Sequence, residues 1–165
     1  MAVMSPYHAP ASAYDPAAIA ADLHAAVTEG LMLFAGIDEA LSRERPKPDG
    51  WCAREVVGHL IDSACNNHRR FILGQTPGLA KFDGYDGDVW VTRQRYVDES
   101  WADIVSLWAA YNRHLRHVIA RTPAEHLRMS AMDPDGSGQI TLGFLMSDYV
   151  GHIRHHFEQV RRLIA

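Results

Sequence analysis

Four long segments with the apolar periodicity of α-helices restrict the fold of this chain more than any other feature. The first begins with Asp15, a residue type that caps helices, and Pro16, which suits the first helical position. Alanine and leucine then dominate for about 28 residues, until the prolines and glycine of RPKPDG (residues 45–50) end the pattern. The second segment runs from WCAREVV (residues 51–57) to about Leu73.

The other two helical segments lie in the second half of the chain. Ser100 followed by Asp103 resembles a capping box, so we expect a third helix from there to about Ala120. A plain loop in MDPDGSGQ (residues 132–139) precedes Thr141, which opens a fourth helix that extends to the last residues. The only strand candidate in the sequence is VWVTRQRYV (residues 89–97), which is short.

The connection between the second and third helices, GQTPGLAKFDGYDGDVW (residues 74–90), reads as a long loop, and such loops are often functional. Four amphipathic helices without strand partners predict an all-α fold, a four-helix bundle with this long loop between helices 2 and 3. The length of 165 residues suits a single domain over residues 1–165, with residues 1–13 as a loose N-terminal arm.

Charge and hydropathy exclude some classes of partner. The formal net charge of -4 argues against a general nucleic-acid-binding protein, which is normally basic. No continuous apolar run approaches the roughly 18 residues that span a bilayer, and the first residues lack the pattern of a signal peptide. We therefore expect a cytoplasmic protein without nucleic-acid or membrane partners, in which Cys52 and Cys65 are reduced thiols.

The densest group of histidines lies in DYVGHIRHHFEQV (residues 148–160) of the predicted fourth helix. At about 100° per residue, an apolar stripe centred near Val160 faces the core, and this stripe includes His156. His152 falls at the edge of the stripe, and His155 points away from it. The angles therefore predict two inward histidines and one solvated histidine.

His152 and His156 are four residues apart, so their imidazoles lie one helical turn above each other. Helices offer two ligands to one metal with this spacing, and neutral imidazole suits zinc, nickel, copper or iron(II). A buried histidine that hydrogen bonds to a carbonyl oxygen is the alternative interpretation. A catalytic zinc usually has three protein ligands. The second helix offers His59 and His68, and its apolar arc favours His68 as the more buried of the two.

The chain resembles the DinB/YfiT-like family, bacterial four-helix-bundle proteins with a metal site, in two segments: EVVGHLIDSACNNHRRF (residues 55–71) and DYVGHIRHHFEQV. YDGDVW in the loop and LWAAYNRHLRHVI on the third helix resemble one branch of this family. The likeness covers almost the whole chain from residue 15 onward. It implies that a divalent metal, zinc or nickel, is held by His59 in place of His68, by His152 and by His156, with Gln159 following them.

Two carboxylates could orient these imidazoles through their second nitrogens. Asp62 lies near His59 on its helix, whereas Asp148 precedes His152 by one turn and is the preferred candidate. Either carboxylate could instead be solvated or cap a helix. Asn67 and Tyr149 could line a substrate pocket, Gln159 could also reach the site, and no catalytic side chain is identified.

The resemblance implies a metal-dependent enzyme that acts on a small molecule. Its reaction would be a hydrolysis, or the transfer of a low-molecular-weight thiol to or from an electrophile. An arginine that binds the carboxylate of such a thiol could come from Arg69, Arg70, Arg93 or Arg95. The alternatives are a non-catalytic metal-binding or stress-related ligand-binding protein, and a metal-free interaction module. A homodimer suits any of these, because small bundles often pair along apolar faces.

Overall fold

This computed structural model describes residues 14–132 and 138–165. The predicted arm at residues 1–13 and most of the predicted loop at residues 132–139 lie outside the described residues. The elements, in chain order, are α1 (Pro16–Phe34), α2 (Ala53–Leu73), α3 (Gly87–Gln94), α4 (Trp101–Arg121), β1 (Ser130–Met132), β2 (Gln139–Thr141) and α5 (Leu142–Leu163). Short 3₁₀-helices occur at Leu41–Arg43, Tyr96–Asp98 and Ala124–Arg128.

Side-chain caps determine where three of the long helices begin, as the sequence predicts. Asp15 caps α1, with proline in the first turn. The Ser100 hydroxyl accepts a hydrogen bond from the N–H of Asp103 at the start of α4. The Thr141 hydroxyl accepts one from the N–H of Phe144 at the start of α5. Each cap satisfies a backbone donor that a helix N-terminus leaves without a partner.

The first helix is shorter than its sequence pattern predicts, because it ends at Phe34. The chain turns there and returns Ile37 to the core. The side chain of Asp38 then accepts a hydrogen bond from the N–H of Leu41 (2.8 Å), which begins a separate 3₁₀-helix. Leu41 of this 3₁₀-helix packs, partly buried, against the same core as Ile37, so the apolar pattern continues beyond the end of α1.

The strand candidate at residues 89–97 is helical. Asp86 accepts a hydrogen bond from the N–H of Val89 (3.0 Å) and so begins α3. Arg95 ends this helix with a left-handed backbone (φ 55°), and a 3₁₀ turn follows. The long connection between the second and third predicted helices is therefore confirmed, although its last four residues, 87–90, belong to a helix rather than to a loop.

A small hairpin just before α5 was not predicted. β1 and β2 pair antiparallel, with Ala131 opposite Ile140. Both of these residues are buried. Strands of three residues are too short to show an alternating pattern in a sequence, which explains why this hairpin gave no signal.

The four long helices form the predicted bundle. α1 and α2 each pack against both α4 and α5, and α3 packs on α2. The ring of Phe34 makes edge contacts with Trp101, Trp108 and Phe157, with centroids 5.2 to 5.7 Å apart. A Cβ atom at Gly30 would lie 2.5 Å from the Trp108 ring, so a glycine is needed where α1 approaches α4. The all-α four-helix bundle is thus confirmed.

α1 is also the one helix among the described residues that is long and apolar enough to cross a membrane, by length and composition only. Core helices of globular proteins share this property. In the bundle, α1 buries Leu23, Ala26 and Phe34 against the other helices. Packing in the core therefore accounts for its apolar composition.

Candidate metal centre

Three histidines from α2 and α5 converge in the structure: His59, His152 and His156. Each offers one ring nitrogen, and the three nitrogens lie within 4.8 Å of one another. The ring centroids are 5.4 Å apart for His59 and His152, 4.8 Å for His59 and His156, and 4.5 Å for His152 and His156. Two imidazoles on one tetrahedral ion, about 2.1 Å from each nitrogen, would have centroids about 5 Å apart. The cluster therefore has the dimensions of a metal site.

Helical geometry explains which histidines meet. On α5, His156 is buried and His155 is exposed, as their angles predict. On α2, the periodicity argument is wrong, because His59 is 8% exposed whereas His68 is only half-buried and faces α4. The segment that leads into α3 packs over His59 and buries it. The apolar periodicity of α2 reflects only residues of that helix, so it cannot predict burial by another part of the chain. The structure thus places His59, and not His68, beside His152.

The hydrogen bonds of the three imidazoles leave nitrogens for a ligand. Nδ1 of His59 and Nε2 of His152 are buried and have no hydrogen-bond partner among the described residues. Nδ1 of His156 lies 2.8 Å from Oε1 of Gln159, an acceptor, so the Nδ1–H donates and Nε2 is left free. Buried polar atoms without partners are destabilising, and a cation would satisfy them. These residues therefore fit a metal such as zinc, nickel, copper or iron(II).

Burial keeps the cluster neutral. Burial first, and then the charge of His156, lower the pKa of His59 to about 4. Burial and the neighbouring histidines lower the pKa of His152 to about 3. Burial also lowers the pKa of His156, while its hydrogen bond with Gln159 opposes that shift. Neutral imidazole is the form that binds a metal, so the cluster has the required protonation state at neutral pH.

Comparison of the sequence with models of known protein families identifies the family of this chain. The sequence model described as the DinB superfamily matches residues 22–160. The chain belongs to the DinB superfamily. This finding confirms the resemblance that the two histidine segments suggest.

Two curated relatives of this DinB-superfamily chain come from Bacillus species. "Putative metal-dependent hydrolase YfiT" of Bacillus subtilis (strain 168) is 28% identical over 121 residues, covering 69% of this chain and 64% of the relative. A protein of Bacillus mycoides (strain KBAB4), also named putative metal-dependent hydrolase, is 27% identical over 114 residues, covering 69% and 65%. The chain thus spans a little under two thirds of the length of these relatives.

A solved structure has the same fold. YfiT from Bacillus subtilis, described as "a probable metal-dependent hydrolase with an unusual four-helix bundle topology", superposes with a TM-score of 0.74 at 20% sequence identity. The match covers 90% of this chain and 83% of that chain. At this identity the likeness establishes the fold, and it agrees with the DinB-superfamily assignment.

Asp62, one turn after His59, belongs to a different hydrogen-bond network from the one predicted. Its Oδ1 accepts hydrogen bonds from the hydroxyl of Tyr96 (2.6 Å) and the amide of Gln94 (2.5 Å). Its Oδ2 is buried and, like Nδ1 of His59, has no hydrogen-bond partner among the described residues. Burial raises the pKa of Asp62, and the two donors oppose that shift. Asp62 therefore does not hydrogen bond directly to His59, because α3 and the turn after it hold its carboxylate.

The second predicted carboxylate, Asp148, is exposed on α5. Its charge adds to the burial that raises the pKa of Tyr14. Its predicted role in orienting His152 stays a prediction.

The two predicted pocket residues lie inside the bundle. Asn67 is buried, and its amide donates a hydrogen bond to the backbone carbonyl of Ser63 (2.9 Å). Tyr149 is also buried, and its hydroxyl donates to Oδ1 of Asn112 (2.6 Å). Both side chains are thus held by partners within the protein, and their contact with a substrate stays a prediction.

Three residues that surround His59 were missed by sequence reasoning. The Trp51 ring lies 5.0 Å from the His59 ring, and the Tyr85 ring lies 6.3 Å from it, at an interplanar angle of 29°. A Cβ atom at Gly87 would lie 3.1 Å from Cε1 and 3.2 Å from Nδ1 of His59. Tyr85 and Gly87 belong to YDGDVW (residues 85–90). A glycine between aromatic residues in this long loop was the sequence signal that could have indicated their place beside the site.

Proposed function

We propose that this chain is a metal-dependent hydrolase of small molecules. It would use one divalent ion, zinc or nickel, held by His59, His152 and His156. The convergence of three neutral imidazoles within 4.8 Å, of which those of His59 and His156 are buried and that of His152 is half-buried, carries the proposal. The names of the Bacillus relatives support the same reaction class.

The ligand set suits catalysis better than a structural role. Three protein ligands leave a coordination position open, as catalytic zinc sites do, whereas structural sites are closed by four. When bound, a divalent ion lowers the pKa of water and polarises a carbonyl oxygen. The protein holds the ligands in place: Gln159 fixes the tautomer of His156, and Trp51 and Gly87 limit the position of the His59 ring.

Aromatic residues beside His59 favour a substrate with an apolar part. Trp51 and Tyr85 both present ring surfaces close to this imidazole. Burial and the charge of Asp62 raise the pKa of Tyr85 to about 12, so its hydroxyl stays protonated at neutral pH. We infer that this hydroxyl donates to a polar group of the substrate.

Elemental analysis of the 165-residue chain, purified without a histidine tag, tests the metal. We expect close to one ion per chain, and a loss of that ion in His59→Ala, His152→Ala and His156→Ala. His155→Ala, an exposed neighbour on α5, is the matched control and should retain the metal. Full retention in His152→Ala would overturn the proposed site.

A turnover screen with the metal-loaded protein tests the reaction. Hydrolysis of small esters or amides that disappears with the metal is the expected result. A reaction seen only when a low-molecular-weight thiol and an electrophile are both present would identify a thiol S-transferase instead. One bound metal without turnover in either assay would favour a non-catalytic metal-binding or ligand-binding protein. Light scattering during gel filtration tests the predicted homodimer independently of both assays.

A further inference from the structure

A second group of histidines lies between α2 and α4. His68 follows His59 by nine residues, which places it on the opposite side of α2. His114 and His117 lie on α4, three residues apart. We propose that His68, His114 and His117 form a second metal site, for a borderline divalent ion such as Zn²⁺, Ni²⁺ or Cu²⁺.

The distance between the two helices suits a shared ion. The rings of His68 and His114 meet edge to face, with centroids 5.1 Å apart. This separation lies within the 4.5 to 5.4 Å range of the first cluster. It also matches the distance of about 5 Å expected for two imidazoles on one tetrahedral ion. Because α2 and α4 pack against each other, the backbone keeps His68 and His114 close to each other.

His117 supplies the third ligand. Its ring stacks on that of His114, with centroids 6.4 Å apart and an interplanar angle of 24°. Both side chains are exposed, so rotation about their torsions can direct one nitrogen from each to the same ion. Helices in metalloproteins also present ligand pairs at i and i+3. As in the first cluster, one histidine comes from α2 and two come from another helix. In the first cluster the three nitrogens already lie within 4.8 Å of one another, whereas here the exposed side chains of α4 must turn toward the ion.

A neighbouring tyrosine orients the half-buried member of the group. Nδ1 of His68 lies 3.3 Å from the hydroxyl of Tyr111. Ligand histidines normally engage their second nitrogen in such a contact, because it fixes the ring. Nε2 of His68 is then the nitrogen left for an ion. Burial and the nearby His114 lower the pKa of His68, which favours its neutral form.

Solvent exposure and local charge make this the weaker of the two sites. Arg113 and Arg116, both exposed, lie on α4 beside the two histidines of that helix. Positive charges nearby oppose the binding of a cation. We expect an affinity for zinc at least about ten-fold below that of the first cluster.

Zinc titration of the untagged 165-residue chain tests the second site, with the ring ¹⁵N resonances of the histidines as readout. We expect the three rings to shift together and to saturate with about one further equivalent of zinc. His114→Ala should weaken this binding about ten-fold or more, because it removes a ligand without disturbing the core. His24→Ala, which removes an exposed histidine of α1, is the control and should leave the binding unchanged.

The same spectra report the first cluster separately, through the rings of His59, His152 and His156. A failure of that cluster to bind zinc therefore leaves the test of the second site intact. The second site is overturned if excess zinc leaves the rings of His68 and His114 unshifted, or if His114→Ala binds zinc like the wild type. Shifts of these rings within the first equivalent would support the second site and contradict the expected order of affinity.

Discussion

Nδ1 of His156 lies 2.8 Å from the side-chain oxygen of Gln159, one turn farther along α5. This contact selects the tautomer that leaves Nε2 for a metal. We therefore expect Gln159→Ala to weaken metal binding about 10- to 100-fold, the usual effect of losing such a partner. Competition with a chromogenic chelator measures the change. Glu158→Ala removes an exposed neighbour and should bind like the wild type; equal affinities for both variants would show that Gln159 has no such role.

Gly87 limits the space around the His59 ring. A Cβ atom there would lie 3.1 Å from Cε1 and 3.2 Å from Nδ1, so Gly87→Ala should displace this imidazole by a few tenths of an ångström. We expect weaker metal binding with little loss of stability, since Gly87 is only half-buried at the start of α3. The chelator assay and thermal unfolding measure the two effects.

Gly151, next to His152, is the matched control for that substitution. A Cβ atom at this position would meet nothing within 4 Å. Gly151→Ala should therefore leave metal binding unchanged and stabilise α5 by about 0.5–1 kcal/mol, because alanine favours a helix interior. If Gly87→Ala behaved in the same way, close contact with His59 would not constrain the site.

The bundle was predictable because its signals are local. The caps at Asp15, Ser100 and Thr141 and the helical periodicity depend only on neighbouring residues, and they located the starts of three helices. The end of α1 could not be predicted, because Ile37 returns to the same core after a turn and continues the apolar pattern. The helix α3 was also missed, because eight residues with one buried position, Val91, carry little periodicity.

The same distinction applies to the histidines. The angles on α5 separate His156 from His155 because one helix face meets the core there. On α2 the argument favoured His68, since it counted apolar neighbours within the helix. The burial of His59 comes instead from residues distant in sequence, Tyr85 and Gly87, which a pattern within one helix cannot reveal. The family resemblance supplied this residue as a ligand candidate.

Arg54 has a fully buried guanidinium group that links three parts of the chain. It donates hydrogen bonds to the Ser42 hydroxyl (2.7 Å) and to the backbone carbonyls of Glu39 and Glu99, and it pairs with the Glu39 carboxylate at 2.8 Å. Arg54→Met would remove all of these contacts and leave the Ser42 hydroxyl and the Glu99 carbonyl without the donor that Arg54 supplies, so we expect a loss of about 3 kcal/mol or more in the free energy of unfolding. Urea denaturation measures it.

Arg43 provides the comparison, because it also pairs with Glu39, at 3.1 Å, but on the surface. Exposed ion pairs contribute little, so Arg43→Met should lower the free energy of unfolding by about 1 kcal/mol at most. If both variants lost a similar amount of unfolding free energy, the buried hydrogen bonds of Arg54 would contribute no stability beyond that of its ion pair with Glu39.

Tyr96 donates a hydrogen bond to the buried carboxylate of Asp62 (2.6 Å) and thereby opposes the effect of burial, which raises the pKa of that carboxyl group. Tyr96→Phe should raise the pKa of Asp62 further, because it removes a donor that favours the charged form. A carboxyl group with a raised pKa in the folded state favours folding at low pH, and this contribution is lost as the pH rises through that pKa. The destabilisation by Tyr96→Phe should therefore grow with pH, reaching about 1.5–3 kcal/mol near pH 7.

Urea denaturation between about pH 4 and pH 8 measures this dependence, a range that begins near the ordinary pKa of an aspartate. Tyr149→Phe is the control, because the hydroxyl of Tyr149 donates to Asn112, which does not titrate. Its loss of about 1 kcal/mol should not vary with pH. Of these two tyrosines, only Tyr96 donates to a group that changes charge. The same pH dependence in both variants, or none in Tyr96→Phe, would therefore show that Asp62 does not titrate as its burial implies.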